Sequence, residues 1–188
     1  MNESSNSIDL KKKINDLSLE DYVSKQIQIG AEINTLLLNE ENINIQYLES
    51  LSVEFELNEV SNILQEANIQ KSERISNLLV AMYNNSIDFA NNNPDFKNFT
   101  SEEIENIIEA EYDKQLEQYN KSNSCIETYD RARYRCGRNL TIAVSVSAVV
   151  GIFTGGMGWG IGAMSAFAIS ALCLDDAMDD YNECMENE

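Results

Sequence analysis

A chain of 188 residues with 32 acidic against 13 basic side chains, for a formal net charge of −19, lacks the clustered positive charge that nucleic acid or an anionic membrane surface would attract. It contains no histidine, which removes the commonest general acid–base group and the commonest metal ligand, so neither enzyme chemistry nor a cofactor is expected. One proline and eight glycines, most of them in a single stretch, point to an all-α protein.

Residues 1–10 read as a flexible Ser/Asn tether, with neither the basic n-region nor the apolar h-region of a signal peptide. Followed by Lys11-Lys12-Lys13, the tether resembles the start of a mature bacterial lipoprotein after loss of its lipidated cysteine, which implies a lipid anchor at the cell surface. Residues 11–124 then read as a run of amphipathic helices. Ser18 is the expected N-cap of the first, which carries Tyr22, Val23, Ile27, Ile33, Leu36 and Leu37 and ends near the Asn-rich 39–42. Residues 43–55 are expected to be helical, although 53–57 alternate apolar and acidic residues in the manner of a short strand.

Asn58 is the expected cap of a helix bearing Val60, Ile63, Leu64 and Ala67. Ile75, Leu78, Leu79 and Met82 mark the next, which fades into Asn91-Asn92-Asn93-Pro94, the clearest loop signal in the chain. Thr100 or Ser101 opens a further helix, with Glu102, Glu103 and Glu105 near its positive end and a stripe through Ile104, Ile107, Ile108, Tyr112, Leu116 and Tyr119. Residues 121–124 form a break or kink.

Residues 125–188 differ in kind. Cys125 and Cys136 stand 11 residues apart, as do Cys173 and Cys184, and the four are symmetric about the point between Thr154 and Gly155. Eleven residues make about three helical turns, so each pair lies on one helix face. An antiparallel hairpin turning near 154–158 then pairs Cys125 with Cys184 and Cys136 with Cys173. Bonds within one arm would have to span roughly 16 Å, and the crossed pairing needs parallel helices. Cysteines at this spacing also lack the close chelating pairs of a metal site. Disulfides persist in oxidising surroundings, so an extracytoplasmic location is expected: secreted, periplasmic or anchored at the cell surface.

The same symmetry sets small residues opposite one another: Ala132 and Ala177, Ala143 and Ala166, Ser147 and Gly162, Gly151 and Gly158. Such a seam lets two helix backbones approach closely. It also places Arg133 opposite Asp176, an expected interhelical salt bridge. Asp175, Asp176 and Asp179 match the DDxxD pattern of magnesium-dependent isoprenoid synthases, but no second acidic motif of that kind accompanies them.

From 140 to 174, 35 residues pass without one Asp, Glu, Lys or Arg. Six glycines (151, 155, 156, 158, 160, 162) give several GxxxG spacings, and Phe153, Met157, Trp159 and Ile161 form an apolar tip. Three structures fit: one transmembrane helix, a buried core hairpin, or a hairpin sheathed in solution that enters a membrane as a unit. Each apolar arm is about 22 Å long, short of a roughly 30 Å bilayer core. The layout of soluble amphipathic helices followed by an uncharged Gly/Ala hairpin resembles pore-forming bacteriocins such as the colicin channel domain. The glycine-rich tail is similar to those of small bacteriocin-like exported proteins. These resemblances cover residues 125–188, carry over no site residue, and imply an exported, membrane-interacting protein. The partners expected are therefore membrane lipid or a protein of the cell envelope. The alternative is a soluble envelope or secreted protein whose hairpin is only its core.

Overall fold

The computed structural model of the chain describes residues 16–40, 42–51, 55–116, 124–154 and 159–186. Among these it is all-α: α1 (Asp16–Leu37), α2 (Ile45–Ser50), α3 (Val60–Glu66), α4 (Ser72–Asn92), α5 (Ser101–Leu116), α6 (Cys125–Thr154) and α7 (Trp159–Glu186), with 3₁₀ turns at Leu57–Glu59 and Pro94–Asn98. The tether at 1–10 and Lys11–Lys13 lie outside the described residues.

Helix boundaries follow the local chemistry. Glu103 N–H donates to the Thr100 hydroxyl at 3.2 Å and Thr100 N–H to the Glu103 carboxylate at 2.8 Å, a reciprocal box that starts α5. Ser124 and Glu127 repeat it at the start of α6, with N–H to oxygen distances of 3.0 and 3.3 Å. After α3 the chain turns through Asn68 at φ 63°, where Asn tolerates the left-handed region, and Ile69 N–H closes back onto the Leu64 carbonyl at 3.0 Å.

Three local expectations are corrected. The first described helix is Asp16–Leu37, so Ser18 lies inside it rather than capping it. The helix expected over 43–55 is only Ile45–Ser50, started by the Asn44 side chain accepting Tyr47 N–H at 3.1 Å; 52–54 lie outside the described residues. Asn58 sits within a 3₁₀ turn whose cap is Glu56, because Glu59 reaches back to the Glu56 N–H at 2.7 Å.

Two apolar clusters flank α6. One gathers Ile33, Leu37, Leu48, Val60, Leu64, Leu79, Met82, Leu140, Val144, Met164 and Phe167; the other gathers Tyr22, Val23, Phe89, Phe96, Ile104, Ile108, Ile142 and Val149. Helix α6 therefore shows apolar side chains to both sides. It is enclosed by α1, α4, α5 and α7, whereas α7 packs chiefly on α6 and the short α2. The hairpin is thus sheathed on one arm more than on the other.

Candidate functional site: the stapled apolar hairpin

Disulfides join Cys125 to Cys184 and Cys136 to Cys173, with Cα–Cα separations of 5.8 and 5.6 Å. The arms are antiparallel, α6 ending at Thr154 and α7 starting at Trp159; residues 155–158 of the turn expected near 154–158 lie outside the described residues. No thiol is free for nucleophilic chemistry.

The seam can be followed residue by residue. A Cβ added to Gly162 would lie 2.5 Å from the Ser147 hydroxyl oxygen and 3.0 Å from its Cβ, so these two helices touch backbone to side chain at that level. Ala177, Ala166 and Gly151 are buried, while Ala132, Ala143 and Ser147 are half-buried. Gly158 lies outside the described residues, as does Met157 of the tip.

The expected ion pair between Arg133 and Asp176 does not form. Arg133 pairs instead with Asp130, one turn earlier on its own helix, at 3.8 Å, and lies over the Tyr129 ring at 5.4 Å. Tyr129 in turn packs against Tyr181 of α7 with ring centroids 5.0 Å apart. The aromatic pair draws the guanidinium toward its own arm, and Asp176 stays exposed to water.

Of the tip residues, Trp159 is folded inward: it is only 4% exposed and meets the Tyr83 ring of α4 at 4.8 Å, although its indole N–H finds no acceptor among the described residues. Phe153 and Ile161 are half-buried, Phe153 against the second cluster. Gly160 lies beneath Phe55, whose ring would stand 2.9 Å from an added Cβ.

Polar groups and glycines fasten α6 to its sheath. An added Cβ on Gly30 of α1 would overlap the Thr141 hydroxyl of α6, and one on Gly137 would overlap the Asn34 amide of α1. Asn34 donates to the Arg133 carbonyl at 3.4 Å. Arg138, with a side chain one-fifth exposed, bridges two carboxylates of α5, Glu109 at 2.8 Å and Asp113 at 2.7 Å. Burial lowers its pKa, but hydrogen bonds to both carboxylates outweigh that, so the guanidinium is held charged more firmly than usual.

Beneath α6 a buried polar knot joins α1 to α4. Tyr22 and Ser86 share a hydrogen bond of 3.0 Å, and Gln26 donates to the Met82 carbonyl at 3.2 Å. Burial pushes the Tyr22 phenol above its ordinary range and Tyr112 well above it.

Sequence patterns did not show these fasteners, because Gly30, Asn34 and Glu109 meet the hairpin only after folding. The Ser124-to-Glu127 box carries the local S-x-x-E signature, so the break expected over 121–124 ends in the cap of α6.

Asp175, Asp176 and Asp179 stand exposed on α7. Among the described residues no three acidic or cysteine side chains converge as a metal site would require. What the arrangement offers is apolar surface: α6 and α7, at 30 and 28 residues, are both long and apolar enough to cross a membrane. Known protein families, curated proteins and solved structures contain no match to this chain.

Proposed function

We propose that this is an exported, non-enzymatic helical protein that acts on membranes by delivering its stapled hairpin into a bilayer, in the manner of a bacteriocin-like toxin. The observation that carries the reading is the pairing of two membrane-length helices, locked together at their charged base and free of charge from 140 to 174. Helices satisfy their own backbone hydrogen bonds, and a two-helix unit with a small-residue seam can enter lipid without breaking its own contacts.

The uncharged parts, 139–154 and 159–174, are each about 24 Å long, some 6 Å short of an average bilayer core. Local thinning of the bilayer, and Arg138 reaching its surface, cover a mismatch of that size. Trp159 supports the same reading, since its unpaired indole N–H would be satisfied at a membrane interface. The disulfides favour an oxidising, extracytoplasmic setting.

A second reading has its own support. About half of the most apolar stretch of each helix is buried, 56% in α6 and 44% in α7, which suits a hairpin that is simply the core of an envelope or secreted interaction protein. Trp159 separates the two, being the only tryptophan in the chain. With vesicles of brominated phosphatidylcholine, hairpin delivery predicts quenching of Trp159 and release of trapped dye, in oxidising or reducing buffer, at neutral or acidic pH. No quenching and no release under any of these conditions would leave the structural reading standing.

A further inference from the structure

In the folded chain Trp159 is not the side chain that meets lipid first, because it is sealed against Tyr83. Among the described residues the large hydrophobic side chains that stand exposed are Ile126, Ile169, Leu172, Met178 and Met185, all on the hairpin and four of them on α7. Ile169 and Leu172 are 60% and 42% exposed and lie within the uncharged stretch.

They share one face of α7 with exposed Ser165, at positions i, i+4 and i+7. The same face turns acidic further along, at Asp176 and Asp179. Beside it runs a groove of about 410 Å³ whose lining includes Leu37, Ile43, Leu172 and Leu174. Among the described residues no long helix of the sheath covers this side, since α1, α4 and α5 all pack on α6.

We propose that the outer face of α7, centred on Ile169 and Leu172, is the landing surface of the protein on a zwitterionic membrane. This rests on the membrane reading above and names its first step. The face is apolar toward the tip and acidic toward the base, so it seats with Ile169 and Leu172 in the headgroup boundary and Asp176 and Asp179 in water. The acidic collar and the net charge of −19 repel anionic headgroups, which favours zwitterionic surfaces. They also disfavour a second copy as the occupant, because pairing two such faces brings like charges together. Landing on α7 leaves α6 clasped by Arg138 to α5 until a later step.

The test is co-sedimentation of the full oxidised chain with phosphatidylcholine vesicles. Ile169→Asn combined with Leu172→Asn is expected to lower partitioning about tenfold or more, with an unchanged circular dichroism spectrum and melting temperature because both side chains are exposed. Ile126→Asn, at the charged base of α6, is expected to leave partitioning unchanged. Replacing a third of the lipid with phosphatidylglycerol is expected to weaken binding of the unaltered chain, and added salt to restore it.

Equal partitioning of the double variant and the unaltered chain overturns the landing surface while leaving the membrane reading intact. So does stronger binding to the anionic vesicles. Failure of the unaltered chain to bind any vesicle overturns both. If the double variant instead turns a dimer into a monomer and binds lipid as before, the face is a self-association surface and the proposal falls.

Discussion

Removing the two disulfides separately and together measures how much of the fold the staple supplies. The inner bond closes a loop of sequence separation 37, and by the chain-entropy account contributes about 4 kcal/mol. The outer bond has a separation of 59, but with the inner bond in place only the 22 positions outside it remain to be constrained, for about 3 kcal/mol more. Cys125→Ala with Cys184→Ala should therefore cost about 3 kcal/mol, and Cys136→Ala with Cys173→Ala about the same, because the outer bond still closes the longer loop. All four together should cost about 7 kcal/mol, roughly 1 kcal/mol more than the two pairs summed. Urea denaturation of the four proteins, with the bonds verified by non-reducing mass spectrometry, measures each value. A cost below about 2 kcal/mol for removing both bonds would refute the reasoning, since packing alone would then hold the arms together.

Other perturbations address the contacts around the staple. Gly162→Leu should spread the arms at Ser147 and lower stability by about 1–3 kcal/mol, whereas Gly162→Ala should cost less because alanine's higher helix propensity returns up to about 1 kcal/mol; Ser147→Gly in the same chain should recover part of the loss. Arg138→Met should cost about 1 kcal/mol in low salt and less at high ionic strength, because its carboxylate partners are half exposed and screened. Tyr22 and Tyr112 keep their protons in the folded chain above the ordinary phenol range near 10, so this contribution to stability is whole below about pH 10 and is lost as pH rises through the raised values. The last part of the rise in phenolate absorbance should accordingly coincide with loss of helical circular dichroism, and Tyr112→Phe should diminish it.

The hairpin could be read from the sequence because its evidence is arithmetic: paired cysteines at one spacing, small residues at mirrored positions, and a glycine-rich centre. The stripes through Ile75–Leu79 and Ile104–Ile108 were readable for the related reason that helical periodicity is local. Contacts between elements were not. Glu40 accepts the N–H groups of Gln70 and Lys71 at 2.7 and 2.8 Å and so starts α4 from thirty positions away, a cap that no local pattern encodes. Arg133 could be placed opposite Asp176 by symmetry, yet a flexible side chain chooses among neighbours, and Asp130 with Tyr129 lay nearer. The sequence places Trp159 in the apolar tip but does not show its cover, because Tyr83 is remote in sequence.

The hairpin's hydroxyl groups bear on what leaving the sheath would cost. Thr141 donates to the Gly137 carbonyl at 2.7 Å and Thr154 to the Val150 carbonyl at 3.0 Å, so each is satisfied within its own helix and keeps its partner in lipid. Departure would break the Asn34 amide's bond to the Arg133 carbonyl, the Ser170 hydroxyl's bond to the Asn34 amide oxygen, the Arg138 clasp on α5, and the tilted ring contact of Tyr83 with Trp159. The larger cost falls on what stays behind, because Ile33, Leu79, Ile108 and other side chains packed toward α6 would face water. A membrane surface removes that cost if α1, α4 and α5 lie along it on their apolar faces once α6 has gone. Release in solution, without a bilayer, has no such compensation. Under the proposed delivery the barrier would therefore be set by the sheath rather than by the hairpin, and the covalent staple would affect it only by making α6 and α7 move together.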